Sequence, residues 1–157
     1  VSHALLTEPG VSLALRKTQS FPVGLVAPTL HRGADLQQEW GRVFARAPRL
    51  PQAGIAAVGA LREQPAVLAA VAQAYARSVA WCRAYPMECG QMMHQHIDLL
   101  TPEAVADAVA TSQLDAVPAL AARGDLEFFF TQLMARNAAL VGGKLPDSGF
   151  YTAPAST

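Results

Sequence analysis

Charged side chains and cysteines are scarce in this chain of 157 residues, and long apolar runs are missing. Charged residues make up 15% of the sequence, and 12 basic side chains balance 12 acidic ones, which argues against a nucleic-acid-binding surface. Arg, Gln or Glu interrupts the apolar runs before the roughly eighteen residues that a membrane span needs. The sequence therefore predicts no transmembrane helix and no nucleic-acid partner, and leaves small molecules or proteins as partners.

Motifs for catalysis are missing as well. The serines lack the Gly-x-Ser-x-Gly context, and neither a paired-carboxylate motif nor a phosphate loop is present. The stretch 142–144 (GGK) lacks the Ser or Thr of a phosphate loop and follows a helical pattern, which indicates a helix stop. We predict that the chain is not an enzyme and binds no cofactor.

The two cysteines, Cys82 and Cys89, are too few for a disulfide framework. On one unbroken helix their Cα atoms would lie about 10 Å apart, which is beyond disulfide reach. Pro86 lies between them and is expected to break the helix, so a bridge remains an alternative. Two buried free thiols are the prediction that we favour.

A run rich in soft and imidazole ligands follows, and a metal site is one interpretation of it. The run contains Met87, Cys89, Met92, Met93, His94 and His96. It has neither a Cys-x-x-Cys nor a His-x-x-x-His pair, and on a helix His94 and His96 would point about 200° apart. We favour an amphipathic helix with surface histidines and predict no metal ligand.

Helical patterns cover most of the chain. Starts are predicted at Gly10, after Asp35, at Gln64, at Pro86, after Thr101 and at Gly124. Asp35 and Thr101 are predicted as N-terminal caps, with Glu103 favourably placed in a first turn, and Asp125 is interpreted as a cap of the last helix. That helix should end at 142–143. The apolar face of the longest helix is predicted to consist of Leu68, Val71, Tyr75, Val79 and Cys82.

Three short apolar runs, residues 4–6, 23–27 and 55–58, are bounded by Pro or Gly and are interpreted as buried strands. Long helical stretches separate them, which suits a parallel sheet with crossover helices. We therefore predict an α/β fold that is rich in helix. More apolar helix surface is present than three short strands can cover, which suggests that the chain is a fragment.

The order of these features resembles solute-binding proteins of ABC importers. It is most similar to the nitrate, sulfonate and taurine group, which also contains binders of thiamine precursors, and the resemblance covers nearly the whole chain. Three motifs carry it: Glu8-Pro9 after an apolar run, the pattern from Arg62 to Tyr85-Pro86, and GKLPDSGFY at 143–151.

The resemblance implies a type II periplasmic-binding-protein-like lobe, in which Glu8-Pro9 marks the hinge. Residues 1–151 would be the C-terminal part of that fold, as a single domain or lobe fragment, and residues 152–157 a flexible tail. In a full-length relative, the residues before Val1 would supply the signal peptide, most of the sheet of the first lobe and nearly all of the second lobe. Thr7 and Glu8 are the predicted ligand-binding residues, although Glu8 has an alternative interpretation as a cap of the helix at Gly10.

The implied function is the solute-binding component of an ABC importer, located in the periplasm, which binds a small solute between lobes and delivers it to a membrane permease. An alternative is a regulatory or structural domain that uses the same lobe. A thiamine-pyrimidine biosynthesis protein is a weaker alternative, because the histidines lie outside the matching segment. Uncovered strand edges and apolar faces would also favour a homo-oligomer.

Overall fold

The computed structural model describes residues 3–151, and every regular element in that part of the chain is helical. The predicted flexible tail, residues 152–157, lies outside the described residues. Short 3₁₀ turns accompany the α-helices. The α-helices are α1 (Gly10–Gln19), α2 (Leu36–Phe44), α3 (Pro65–Ala84), α4 (Pro86–His94), α5 (Pro102–Thr111) and α6 (Ala119–Arg136).

The described chain divides into two compact units. Unit 1 comprises residues 3–34 and 77–115, and unit 2 comprises residues 35–76 and 116–151. Helices α1, α4 and α5 belong to unit 1, and α2 and α6 belong to unit 2. The boundary falls within α3.

The predicted α/β fold, with its type II periplasmic-binding-protein-like lobe, is wrong, because none of residues 3–151 forms a β-strand. Residues 4–6 and 55–58 have no regular structure, and residues 23–27 contain the 3₁₀ turn Val23–Leu25. The N–H group of Val26 donates to the Val23 carbonyl at 3.1 Å, so this segment bonds to itself instead of to a neighbouring strand. Short apolar runs do not by themselves distinguish a strand from other structure.

Prolines begin three of the helices. Pro65, Pro86 and Pro102 are the first residues of α3, α4 and α5, where the missing N–H group costs nothing. The predicted start of the longest helix at Gln64, within one residue, and the new start at Pro86 are both confirmed.

The predicted caps of α2 and α5 are also confirmed. Oδ1 of Asp35 accepts hydrogen bonds from the backbone N–H groups of Gln37 at 2.8 Å and Gln38 at 3.4 Å. Oγ1 of Thr101 accepts one from Ala104 at 3.3 Å. These bonds satisfy N–H groups that have no partner within the helix.

The predicted limits of the last helix are wrong. Helix α6 begins at Ala119, because the alanine- and leucine-rich segment after Pro118 has a high helix propensity that outweighs the cost of Gly124, about 1 kcal/mol. It ends at Arg136, and a separate 3₁₀ turn, Ala138–Val141, precedes Gly142. Gly142 has a φ of 72°, and it therefore stops the helical path as predicted.

Asp125 does not cap α6. It lies inside the helix, where Oδ1 accepts a hydrogen bond from Arg46 at 3.1 Å and Oδ2 accepts one from Arg49 at 3.3 Å. The two ion pairs connect the segment after α2 to α6 within unit 2. The acidic side chain is thus a tertiary partner, which its sequence position next to Gly124 does not reveal.

In unit 1, α4 packs closely against α5. A Cβ atom added to Gly90 would come within 2.7 Å of the Cα atom of Pro102, so only glycine allows this approach. The neighbouring side chains that are buried are small or medium-sized: Cys89, Ala104, Val105 and Ala108. Val105 and Ala108 therefore face the interior of unit 1.

Cys82 and Cys89 form a disulfide, and the prediction of two free thiols is wrong. The break at Pro86 turns the chain from α3 into α4, and this turn brings the two Cα atoms to 5.0 Å. The distance calculated for one unbroken helix therefore does not apply. The bridge ties the end of α3 to the α4–α5 pair.

The predicted apolar face of α3 is largely exposed. Val79 is buried, whereas Val71 and Tyr75 are exposed. Periodicity therefore identified the helix correctly but did not show whether a neighbour covers its apolar side.

Unit 2 is built around aromatic rings from α2 and α6. The ring centroids of Trp40 and Phe44 lie 4.5 Å apart, and Phe128 lies 5.6 Å from Trp40 and 5.3 Å from Phe44. Phe129 also contacts Trp40, at 5.9 Å. The side chains of Phe129 and Phe130 are both half-buried.

Candidate functional site

The predicted ligand residue Glu8 lies just before α1, and donors of Ser12, Arg32 and Thr111 lie within 3.5 Å of its carboxylate. Its Oε2 accepts a hydrogen bond from the backbone N–H of Ser12 at 3.1 Å. Its Oε1 lies 2.5 Å from Nη1 of Arg32. One carboxylate oxygen of Glu8 therefore caps α1, as the alternative interpretation predicted, and the other oxygen forms an ion pair.

Ser12 is the most deeply buried polar residue of the described chain, with 1% of its surface exposed. Nη2 of Arg32 donates a hydrogen bond to Ser12 Oγ at 2.9 Å. Arg32 lies in the connection between unit 1's 3₁₀ turn and α2, a segment without regular structure. Its guanidinium is thus fixed by Glu8 and Ser12 on one side and leaves further N–H donors.

A second ion pair connects α1 to α5. Arg16 donates to Asp107 through Nε at 2.5 Å and through Nη2 at 2.8 Å. This is the two-pronged geometry that makes arginine and carboxylate pairs specific. Thr111 lies one turn after Asp107, and its hydroxyl donates to the Asp107 carbonyl at 2.8 Å.

Both carboxyl groups have pKa values below their ordinary range. Partial burial pushes the pKa of Glu8 upward, but hydrogen bonds from Arg32 and Ser12 outweigh burial and the pKa is lowered. The hydrogen bond from Arg16 is the main cause of the lowered pKa of Asp107, and the charges of Arg16 and Arg32 add to it. Both carboxylates are therefore ionised at neutral pH.

A cleft of about 400 Å³ lies beside these ion pairs in unit 1, and we call it the Arg16–Arg32 cleft. Its lining carries two guanidinium groups and one carboxylate, for a formal charge of +1. Glu8 is not among the lining residues, but its Oε1 lies 2.5 Å from Arg32 and 3.5 Å from the Thr111 hydroxyl, so this carboxylate adjoins the cleft. The lining residues are Ser12, Leu15, Arg16, Gln19, Arg32, Asp107, Ala110 and Thr111.

The two predicted site residues differ in their placement. Glu8 positions an arginine of the cleft, whereas Thr7 is exposed and is not among the lining residues. The Thr7 carbonyl accepts a hydrogen bond from the N–H of Val11 at 3.2 Å, so this residue helps to begin α1. A role for Thr7 in ligand binding remains a prediction.

Sequence reasoning missed Arg16, Arg32 and Asp107. Arg16 and Asp107 are 91 residues apart in the sequence, and only the packing of α1 against α5 brings them together. No local motif marks either residue. In the sequence, an arginine near the end of an apolar helix is explained equally well by a favourable interaction with the helix dipole as by a binding site.

The Met- and His-rich segment forms α4 and the turn after it. Within residues 3–151, no three His, Cys, Asp or Glu side chains are grouped so as to hold a metal ion. Nδ1 of His94 lies 2.9 Å from the Leu100 carbonyl oxygen, which can only accept, so this nitrogen carries the donated proton.

Comparison with protein-family models, curated proteins and solved structures finds no match to this chain. Among the helices of residues 3–151, none combines the length and the apolar character that crossing a membrane requires.

Proposed function

We propose that this chain is a non-enzymatic binding protein for a small anionic solute, which binds in the Arg16–Arg32 cleft. The free N–H donors of Arg16 and Arg32 carry the proposal, because both guanidinium groups line the cleft. A guanidinium has five N–H donors, and each arginine uses two of them in contacts within the protein. The remaining donors suit the oxygens of a carboxylate, sulfonate or nitrate.

Within this proposal the chain is the solute-binding component of an ABC importer, and it delivers the solute to a membrane permease. The resemblance at Glu8-Pro9 suggests this role, and the ion pair of Glu8 with Arg32 of the cleft supports it. The Cys82–Cys89 disulfide supports an oxidising compartment such as the periplasm. An α/β lobe is not part of the proposal.

Calorimetric titration of the 157-residue chain with nitrate, methanesulfonate, bicarbonate and a neutral pyrimidine tests the binding proposal. We expect saturable binding of at least one anion and none of the pyrimidine. Arg16→Gln should weaken that binding about tenfold or more, because a hydrogen bond to a charged group is lost. Arg83→Gln is the matched control, because Arg83 is exposed and forms no ion pair among the described residues.

The proposal is wrong if none of the anions binds at millimolar concentration, or if Arg16→Gln and Arg83→Gln bind equally well. A binding site elsewhere on the chain would produce the second result. Preference for the neutral pyrimidine would likewise contradict an anion site.

A structural or regulatory role is the second candidate, and the exposed apolar side of α3 favours it. Val67, Val71 and Tyr75 recur every four residues along this helix and are all exposed. An exposed apolar stripe of this kind marks a surface for protein association. Association of the chain in the absence of any anion binding would support this candidate over the first.

A further inference from the structure

Unit 1 carries an exposed apolar projection at residues 21–27, which we call the Phe21 tip. Its sequence, FPVGLVA, contains no side chain that can form a hydrogen bond. Phe21, Leu25 and Val26 are 84%, 74% and 87% exposed. Single exposed apolar residues are common, but three so close together mark a site of contact with a protein or a membrane.

The backbone of the tip is largely hydrogen-bonded within unit 1 already. The four N–H groups of residues 24–27 donate to carbonyls of residues 20–23 at 2.7 to 3.1 Å, and Pro22 has no N–H group. An N–H group without a partner is costly in hydrocarbon, where no water can accept its hydrogen bond. The tip can therefore enter a lipid surface without leaving these four groups unpaired, and none of them is free to pair with the backbone of a protein partner.

The charged residues that flank the tip are basic. Residues 9–34 contain Arg16, Lys17, Arg32 and one histidine, and neither Asp nor Glu. Arg16 and Arg32 are paired with carboxylates of unit 1. Lys17 lies four residues before Phe21, is exposed, and forms no ion pair among the described residues. A free basic side chain beside an apolar tip suits a surface of anionic lipid headgroups.

The size of the tip determines how strong this contact can be. The side chains of Phe21, Leu25 and Val26 together carry about as many carbon atoms as one myristoyl chain, which gives only marginal and reversible membrane binding. Anionic headgroups attract Lys17 in addition. We propose that the Phe21 tip inserts into the surface of a bilayer that contains anionic lipid and attaches the chain to it reversibly. The tip residues do not line the Arg16–Arg32 cleft, so this attachment is independent of anion binding there.

Co-sedimentation of the 157-residue chain with vesicles tests the proposal. We expect the chain to bind vesicles made of equal parts of phosphatidylcholine and phosphatidylglycerol. Phe21→Ser should lower the partition coefficient about tenfold or more, because an aromatic side chain no longer enters the apolar phase. Leu140→Ser is the matched control, because Leu140 is also exposed but lies in unit 2. Both positions are exposed, so neither variant should impair folding.

A second pair of variants tests the choice of anionic lipid. Lys17→Gln should lower the partition coefficient on the mixed vesicles about fivefold, since one cation near the surface is lost. It should leave the weaker binding to pure phosphatidylcholine unchanged. Lys144→Gln is the control, because Lys144 is exposed and belongs to unit 2. Added salt should weaken the binding of the unmodified chain to the mixed vesicles.

A fluorophore that is sensitive to its surroundings distinguishes insertion from adsorption. It can be attached to a Val26→Cys chain or to a Leu140→Cys chain, because Cys82 and Cys89 form a disulfide and do not react. The emission at residue 26 should shift to the blue and intensify when the mixed vesicles are added, and the emission at residue 140 should not change.

Several results would overturn the proposal. The unmodified chain would fail to bind the mixed vesicles at millimolar lipid, or Phe21→Ser or Lys17→Gln would bind as well as its control, or the fluorophore at residue 26 would remain in water. If the chain instead associates with itself without vesicles, and Phe21→Ser abolishes that association, the tip is a protein contact and the membrane proposal is wrong.

Discussion

In unit 1, the backbones of α4 and α5 approach until Gly90 touches Pro102, and small side chains fill the interface. In unit 2, the rings of Trp40, Phe44 and Phe128 fill the space between α2 and α6. Close backbone contact buries its side chains completely, whereas the rings remain half-buried and leave an open pocket beside them. The first arrangement suits a rigid support for ion pairs, and the second suits a binding surface.

Substituting one glycine in each unit provides the strongest test of this comparison between the packing of the two units. Gly90→Ala should lower the free energy of unfolding by about 3 kcal/mol, because the new Cβ atom meets the Pro102 backbone, which cannot move without separating the helices. Gly124→Ala in α6 should raise it by about 0.5–1 kcal/mol, because nothing lies within 4 Å and alanine favours the helix.

Urea denaturation followed by tryptophan fluorescence measures both effects. One tryptophan lies in each unit, Trp81 in unit 1 and Trp40 in unit 2, so Trp40→Phe and Trp81→Phe backgrounds report the units separately. If Gly90→Ala is as stable as the unmodified chain, the close approach of α4 and α5 is not a stability determinant.

The disulfide provides the next largest effect. Replacing both Cys82 and Cys89 with alanine should lower the free energy of unfolding by about 2.5 kcal/mol, the loop entropy expected for a bridge that closes about eight residues. Dithiothreitol should destabilise the unmodified chain by a similar amount and leave the double variant unchanged. Equal stability with and without the reductant would show that the bridge adds nothing to unit 1.

Local signals in the sequence were sufficient for the starts of α1 to α5, but not for the limits of α6. Asp35 and Thr101 as caps, and proline at the first positions of α3, α4 and α5, act within one turn and were predicted correctly. The strands failed because burial is not a local property. Residues 23–27 and 55–58 are apolar, and the prediction assumed a sheet that the described residues do not form.

The site was predictable only in part for the same reason. Glu8 was predicted as a ligand-binding residue from the resemblance at Glu8-Pro9, and that role remains a prediction. The structure shows its carboxylate paired with Arg32 of the cleft. The ion pair between Arg16 and Asp107 depends on two helices that are far apart in the sequence. Likewise, the disulfide forms because the chain changes direction at Pro86. The sequence prediction assumed an unbroken helix, which gave too long a distance between the Cα atoms of the two cysteines.

The smallest expected effect concerns Glu8 and pH. In the unfolded chain its carboxyl has its ordinary pKa of 4.5, and in the folded protein the pKa is lower. As the pH falls below about 5, the unfolded chain takes up this proton first, so the free energy of unfolding decreases until the pH has passed below the folded pKa. Glu8→Gln should remove this contribution, which is about 1 kcal/mol or less for a partly exposed ion pair.

Urea denaturation at several pH values between 7 and 3 measures that contribution as the difference between the Glu8→Gln chain and the unmodified chain. The difference should be present at pH 7 and vanish in acid, and it should appear in the Trp81 signal of unit 1. A difference independent of pH would mean that Glu8 acts only through packing. An equal response of the Trp40 signal would mean that both units unfold together. The two units would then differ in packing but would not have separate free energies of unfolding.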